Sequence, residues 1–299
     1  MRCLAALYIL LVVVSVSACS PKKLGISRMA DALTSTASSF ARDDDPEFVR
    51  AAAPSNLKMI EMLLDEEPAH RGLLLTACSG FTQYAYGFLQ ADAERAAVTD
   101  RAAAGELRAR ARRLYERAGR YCGRALDAAH PGFVAALRAD AASALAKAGK
   151  ADVPALFWFA AASGGALSLA DNQLQQVGQL ALVRATFARA LELDEGWEKG
   201  AIHEAMIAVD GLPPLLGGSA TRARAHFDRA VELSNGNSAF AYVTFASSVA
   251  QPAKNRTEFE RLLNAALAID VNQDPSMRLA NLIAQTRARF LLSRIESLF

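Results

Sequence analysis

The stretch Val153–Ala170 carries no charged side chain, although Asp152 and Asp171 flank it and the chain on either side has the pattern of charged amphipathic helices. Its length lies at the lower limit for a membrane-spanning helix. Ser163 and Gly164–Gly165 lower its hydrophobicity, and neither end is directly flanked by Arg or Lys. We therefore expect a helix that is enclosed by protein, either as plain core or as the wall of an apolar cavity.

Composition predicts an all-α fold for the rest of the chain. Apolar residues make up 52% of the sequence but aromatic residues only 7%, because much of the apolar content is alanine, the best helix former. Runs of β-branched residues with a period of two are almost absent after the N-terminus. We predict an array or superhelix of helical hairpins, in which each unit packs on its neighbours around the central apolar helix.

The net charge of +2 is too small to indicate a nucleic-acid partner. Arginines do concentrate between Arg95 and Arg124, where acidic residues are interspersed with them. This pattern is typical of a solvated helix face, and a basic docking patch is the alternative.

The N-terminus has the layout of a secretory signal, with Arg2 followed by the apolar run Leu4–Val16. Small residues at Ser17 and Ala18 directly precede Cys19, as in a bacterial lipobox. We predict a signal peptide over residues 1–18 and acylation of Cys19, whose acyl chains would hold the protein to a bilayer. The alternative is an ordinary secretory signal that happens to be followed by cysteine.

Ser20 follows Cys19 where an aspartate would favour retention in the inner membrane, so we expect an outer-membrane lipoprotein that faces the periplasm. Residues 19–44 then comprise the lipidated cysteine and a tether. Asp45 and Pro46 have the signature of a helix start, and residues 45–299 are predicted to form a single all-α domain.

Cys78 and Cys122 remain, and a periplasmic location would permit them to form a disulfide. If two antiparallel helices turn near Thr99–Ala104, both cysteines lie at a similar level. Two buried, unlinked cysteines are the alternative, because a disulfide needs closer backbones than most helix pairs provide.

Short sequence segments recur through the second half of the chain. Ala190, Ala230 and Ala266 occupy matching places in them, at steps of 40 and 36 residues, near the 34-residue period of tetratricopeptide repeats. Ala223 and Phe227 complete the clearest small-aromatic-small pattern before Ala230. The sequence therefore predicts cryptic repeats of this kind, although coincidence in an alanine-rich helical protein would give similar phrases.

Further helix boundaries follow from local signals. A helix is expected from Pro46 to about Ala53, with a second apolar-periodic segment over Leu57–Asp65. The last helix is predicted from about Ser276 to Leu298. Its polar residues, among them Asn281, Gln285 and Arg287, are expected on the outer side of a terminal helix.

Catalytic and metal-binding patterns are missing from the sequence. The four histidines, at positions 70, 130, 203 and 226, have no ligand spacing with a second His or Cys, and no nucleophile elbow or nucleotide fingerprint occurs. We predict neither enzymatic activity nor a metal or other cofactor.

Several short motifs, in this order along the chain, resemble those of one family, the T-component lipoproteins of tripartite ATP-independent periplasmic (TRAP) transporters. They are Val16–Cys19, Asn56-Leu57-Lys58, Val153–Trp158, Leu212-Pro213 with Gly217-Gly218, His226-Phe227-x-Arg229-Ala230, and Leu279-Ala280-Asn281 with Gln285 and Leu291-Leu292. The resemblance implies a homotrimer that docks the solute-binding P component of the transporter. It also implies an apolar pore or cavity through each protomer for a small hydrophobic ligand.

If this resemblance holds, large side chains on and after the central helix are candidates to line the cavity. They are Phe157, Trp158, Phe159, Trp197, Tyr242, Phe245 and Asn281. Ordinary core packing is the alternative for each of them. The predicted function is a scaffold and ligand conduit for the P component, and the alternative is a repeat lipoprotein that serves envelope or pilus assembly.

Overall fold

The computed structural model describes residues 28, 31–32, 37–170 and 176–299, and all regular structure in these ranges is helical. The protein is therefore all-α, as composition predicts. The predicted signal peptide, the acylated Cys19 and most of the tether lie outside the described residues.

Fifteen α-helical segments are described, and several are joined by short π- or 3-10-helical turns. They are α1 (Ala37–Ala41), α2 (Pro46–Glu66), α3 (Arg71–Tyr84), α4 (Ala91–Ala96), α5 (Arg101–Ala129), α6 (Phe133–Ala139), α7 (Ala141–Leu145), α8 (Val153–Ser168), α9 (Gln176–Leu193), α10 (Ala201–Asp210), α11 (Ala220–Leu233), α12 (Ala239–Phe245), α13 (Arg256–Ala268), α14 (Arg278–Ser293) and α15 (Ile295–Leu298). A π-helical segment, Ala85–Gln90, joins α3 to α4, and a second, Ala246–Ala250, extends α12. Helices adjacent in sequence pack as neighbours, which gives the predicted array.

Side-chain N-caps mark where several helices begin. The Asp45 carboxylate accepts hydrogen bonds from the backbone N–H groups of Glu47 and Phe48, so the predicted start of α2 is confirmed. Before α14, the carboxylate of Asp274 likewise accepts from the N–H of Ser276. These caps supply acceptors for N–H groups that have no partner within the helix.

The predicted break near Ala53 is wrong, because α2 runs unbroken through Pro54. Proline removes one backbone hydrogen bond and usually kinks a helix. Burial of Leu57, Ile60 and Leu64 in one core with Leu73 and Leu74 of α3 holds the second half of α2 in line.

A disulfide joins Cys78 of α3 to Cys122 of α5, with the two Cα atoms 5.2 Å apart. Small residues on these helices permit this approach, since Ala77, Ala118 and Ala125 are fully buried between them. Of the two alternatives for these cysteines, the structure has the disulfide.

The apolar helix α8 packs against α3, α5 and α9, so protein surrounds it on several sides. Its first half is core, with Val153, Leu156 and Phe157 buried. From Ser163 to Leu167 its residues are only half-buried. Among the described residues, no helix combines the length and the apolar character required to cross a membrane.

The expectation of a polar outer side on the last helix is wrong for two of its residues, although Arg289 on the same helix is exposed. Asn281 and Gln285 of α14 are only 2% and 5% exposed. The Asn281 side chain accepts from the N–H of Ala239 at 2.9 Å, and the Gln285 amide donates to the carbonyls of Ala266 and Ile269 at 3.1 and 2.8 Å. These amides satisfy backbone groups at the start of α12 and the end of α13, which their own helices leave unpaired.

Helix α14 is also not the free end of an array, because it contacts α1 and α2 as well as α12 and α13. The Arg278 guanidinium donates to the carbonyl oxygen of Arg42 at 3.0 Å. Ile283 packs against Gly87 in the π-helical segment, where a Cβ atom would lie 3.3 Å from the Ile283 side chain. The last long helix therefore closes onto the first ones, and we call this contact of α14 with α1, α2 and the α3–α4 segment the seam.

Gly165 on α8 provides a sharp test of packing. A Cβ atom there would lie 2.5–2.7 Å from the ring of Tyr115, which is 1% exposed and donates its hydroxyl to Gln90. Because the ring has no room to move, we expect Gly165→Ala to lower the free energy of unfolding by about 1–3 kcal/mol in chemical denaturation.

The neighbouring Gly164 is the matched control. A Cβ atom there would lie 3.6 Å from Val183, an ordinary contact. Gly164→Ala should leave stability unchanged or raise it by up to about 1 kcal/mol through helix propensity. Equal effects of the two substitutions would contradict this account of α8.

Candidate functional site

The predicted ligand-binding residues fall into two separate cores. Phe157 and Trp158 lie with their ring centroids 4.8 Å apart, and Trp197 lies 4.6 Å from Phe157. Phe159 is half-buried and points back toward α5, near Gly123. These four belong to the core that surrounds the first half of α8.

The remaining three lie in the C-terminal core. Tyr242 and Phe245 pack on Phe227 with centroids 5.3 and 4.9 Å away. Asn281 is close to them in the fold but is bonded to backbone, accepting from Ala239 and donating to the carbonyl of Asn237 at 2.8 Å. The structure therefore brings the predicted residues together as two aromatic groups and not as one wall.

A polar cluster that the sequence did not indicate lies at the seam. The guanidinium of Arg287 on α14 donates from Nε and Nη2 to the carboxylate of Glu94 on α4, at 3.1 and 2.9 Å. Its Nη1 donates to the hydroxyl of Tyr86 at 2.9 Å. Tyr86 lies in the π-helical segment, and such segments often occur at functional sites.

The half-exposed end of α8, from Ser163 to Leu167, lies in the same part of the fold as this polar cluster. Ala166 and Leu169 pack with Tyr115 against a small core to which Tyr86 also contributes. Tyr86 in turn lies 5.3 Å, centroid to centroid, from Phe240 on α12. Tyr86 thus contacts the seam and α12, and it shares a small core with the end of α8.

Glu204 on α10 completes this region. The Ser238 hydroxyl donates to its Oε1 atom, and the Glu204 charge adds to burial in raising the pKa of Tyr86. Burial raises the pKa of Glu204 to about 7, and the Ser238 hydrogen bond only partly opposes this effect. We call Tyr86, Glu94, Arg287, Glu204 and Ser238 the interior cluster.

A pocket of about 60 Å³ opens along the seam beside this cluster. Its lining includes Pro46, Arg50, Gly87, Phe88, Ile283 and Arg287. Sites for small organic ligands are usually roughly 300–1,000 Å³, so this pocket holds only a few water-sized molecules.

Two of the histidines meet in a way that their sequence spacing did not indicate. Nδ1 of His203 lies 2.8 Å from Nδ1 of His226, and Nε2 of His203 lies 3.2 Å from Glu195. Burial lowers the pKa of both histidines. Across the described ranges, no three His, Cys, Asp or Glu side chains form a group that could hold a metal ion.

The arginine-rich helix α5 presents an open groove on its outer side. Its arginines recur at steps of three and four residues, at positions 110, 113, 117, 120 and 124, with Leu114 and Tyr121 between them. Arg117 is paired with Glu61, whereas Arg110, Arg113 and Arg120 are exposed. The side chains therefore form a basic face, which is consistent with both sequence interpretations.

Titration of Glu204 gives a prediction for stability. Its pKa is about 7 in the folded protein and 4.5 in a solvated chain, so the folded state binds more protons between these values. The stability that this group contributes is complete below about pH 4.5 and is lost as pH rises through 7. We expect Glu204→Gln to raise the free energy of unfolding at pH 8.5 on the order of 3 kcal/mol.

At pH 5 the gain over the wild type should be much smaller, and denaturant titrations at both pH values measure it. The exposed Glu106 provides the matched control, since Glu106→Gln should change stability equally little at the two pH values. A constant difference between wild type and Glu204→Gln across this range would refute the assignment.

Comparison with known proteins matches most of the chain to one family. A family model described as TRAP transporter T-component matches residues 42–299, which is nearly the whole described chain. An uncharacterized protein of Treponema pallidum (strain Nichols) is 28% identical over 265 residues, which cover 87% of this chain and 82% of that protein. The chain belongs to the TRAP transporter T-component family.

Proposed function

We propose that this T-component is a periplasm-facing lipoprotein scaffold that binds the solute-binding P component of its transporter. In this proposal residues 1–18 are removed, acylated Cys19 anchors the chain to the outer membrane, and residues 19–44 are the tether. Residues 45–299 act as one all-α, tetratricopeptide-like unit within a homotrimer. The protein carries out no reaction of its own, and it holds or passes a small hydrophobic ligand.

The observation that carries the ligand role is the closure of the array at the seam. α14 contacts α1 and α2, and its Arg287 side chain bonds to Glu94 of α4, so the two ends of the array meet there. Tyr86 and Phe240, whose ring centroids lie 5.3 Å apart, would offer aromatic surface to an apolar ligand beside the seam.

Lipidation provides a direct test of the anchor. Expressed in a diderm bacterium with labelled palmitate, the wild type should incorporate label and sediment with outer membranes, because two or three acyl chains bind a bilayer stably. Cys19→Ser should remove both the label and the membrane association. Cys3→Ser, within the predicted signal peptide, is the matched control and should retain them. Release of the Cys3→Ser protein alone would contradict the assignment.

Docking of the P component is tested with purified proteins. Mature acylated protein in detergent should elute with the mass of three protomers. It should bind the P component encoded with the same transporter with a micromolar or tighter Kd in biolayer interferometry. A solute-binding protein from an unrelated ABC transporter is the control and should not bind. Equal binding of both proteins, or recovery of only envelope-assembly factors from a periplasmic extract, would favour the assembly role instead.

A further inference from the structure

The arginine-rich side of α5 forms an open groove of about 630 Å³ on the surface of the protein. We call this side the basic face, and it is lined by Arg110, Arg113, Leu114, Arg117, Arg120, Tyr121 and Arg124. The arginines recur at steps of three and four residues, so they follow one side of the helix. At a rise of 1.5 Å per residue, their row is about 21 Å long.

The positive charge of the basic face is largely uncompensated. Arg117 pairs with the carboxylate of Glu61, which also accepts a hydrogen bond from the Tyr121 hydroxyl. Glu106, four residues before Arg110, carries the next charge on this side of the helix and ends the basic row. Three exposed arginines of the face have no carboxylate partner among the described residues, and they are Arg110, Arg113 and Arg120.

The N-terminal segment reaches the folded domain beside this face. The Oδ1 atom of Asp31 lies 3.3 Å from Nε2 of His70, just before the start of α3. Two residues before His70, the carbonyl oxygen of Pro68 accepts a hydrogen bond from the Arg124 guanidinium at 2.7 Å. Asp31 and the C-terminal end of the basic face therefore both contact the connection between α2 and α3.

This contact limits how far the basic face can lie from the proposed anchor. Twelve residues lead from Cys19 to Asp31, and a chain of that length spans about 40 Å when fully extended. With acylated Cys19 in a bilayer, the end of the face next to Asp31 stays within roughly this distance of the lipid surface. A short tether of this kind raises the effective concentration of lipid headgroups at the face.

We propose that the basic face of α5 docks the protein on the membrane that holds its anchor, by binding the phosphate groups of anionic lipids. The inference rests on the proposed acylation of Cys19. Guanidinium groups match phosphate oxygens well, because they donate two parallel hydrogen bonds to them. Tyr121 and Leu114, half-buried between the arginines, would lie at the level of the headgroups, where the ring of a tyrosine is favoured.

An acidic protein would also complement these charges, but the geometry favours lipid. The face is an open row of long side chains, which suits a fluid surface whose headgroups can move to meet each guanidinium. The tether brings this end of the domain to the bilayer, whereas nothing comparable brings it to a soluble partner. Docked in this way, the protein would turn the side opposite α5 to the periplasm, where the P component can reach it.

The test measures vesicle binding by the mature chain with Cys19→Ser, so that acyl chains contribute nothing. In co-sedimentation it should bind phosphatidylcholine vesicles that contain about 30% phosphatidylglycerol, and not vesicles of phosphatidylcholine alone. Binding should weaken steeply as salt is raised to about 0.5 M. Adding Arg113→Gln together with Arg120→Gln should weaken it at least about tenfold, because each basic side chain at an anionic surface contributes roughly a fivefold factor.

Arg101→Gln together with Arg108→Gln is the matched control. These two arginines are also exposed on α5 and seven residues apart, but on an ideal helix they point about 120° away from Arg113 and Arg120. The control should bind anionic vesicles within about twofold of the parent chain. Both double variants should unfold at the temperature of the parent, since only exposed side chains change.

Equal losses in the two double variants, or equal binding to neutral and anionic vesicles, would overturn the inference. Loss of P-component binding by the Arg113→Gln, Arg120→Gln variant with intact vesicle binding would also overturn it, because the face would then dock a protein. Absence of the palmitate label from the wild type would contradict the proposed anchor, and this result is distinct from vesicle binding by the unlipidated chain.

Discussion

The ion pair between Arg287 and Glu94 joins residues that are 193 positions apart, at the seam where the array closes. Around it, Arg287 also donates to Tyr86, Ile283 packs on Gly87, and Arg278 donates to the Arg42 carbonyl. Breaking a buried ion pair leaves a charge without a partner, which costs more than the intact pair contributes. The seam therefore joins the two ends of the helical array through side chains of α14.

Buried polar side chains in this fold form hydrogen bonds to backbone groups at helix ends as well as to each other. Gln285 and Asn281 pair with carbonyls and an N–H at the ends of neighbouring helices. A closed array of many helices creates many such ends. Buried amides are one solution, and in the interior cluster Ser238 serves both purposes, since it caps α12 and donates to Glu204.

Local signals in the sequence predicted most of the elements. The cap at Asp45 and the uncharged run of α8 each depend on residues a few positions apart, and the structure has these helices. The seam, the pairing of His203 with His226 and the environment of Glu204 depend on contacts between distant segments. Alanine-rich helices carry little information about which faces meet, so the aromatic residues were assigned to one cavity although they occupy two cores.

The seam differs in kind from the other contacts in the array. Neighbouring helices are joined by loops and, for α3 and α5, by a disulfide, whereas α14 meets α2 and α4 through side chains only. Side-chain contacts can part and re-form while every helix keeps its backbone hydrogen bonds. Opening the seam would therefore break side-chain contacts while leaving the hydrogen bonds within each helix in place.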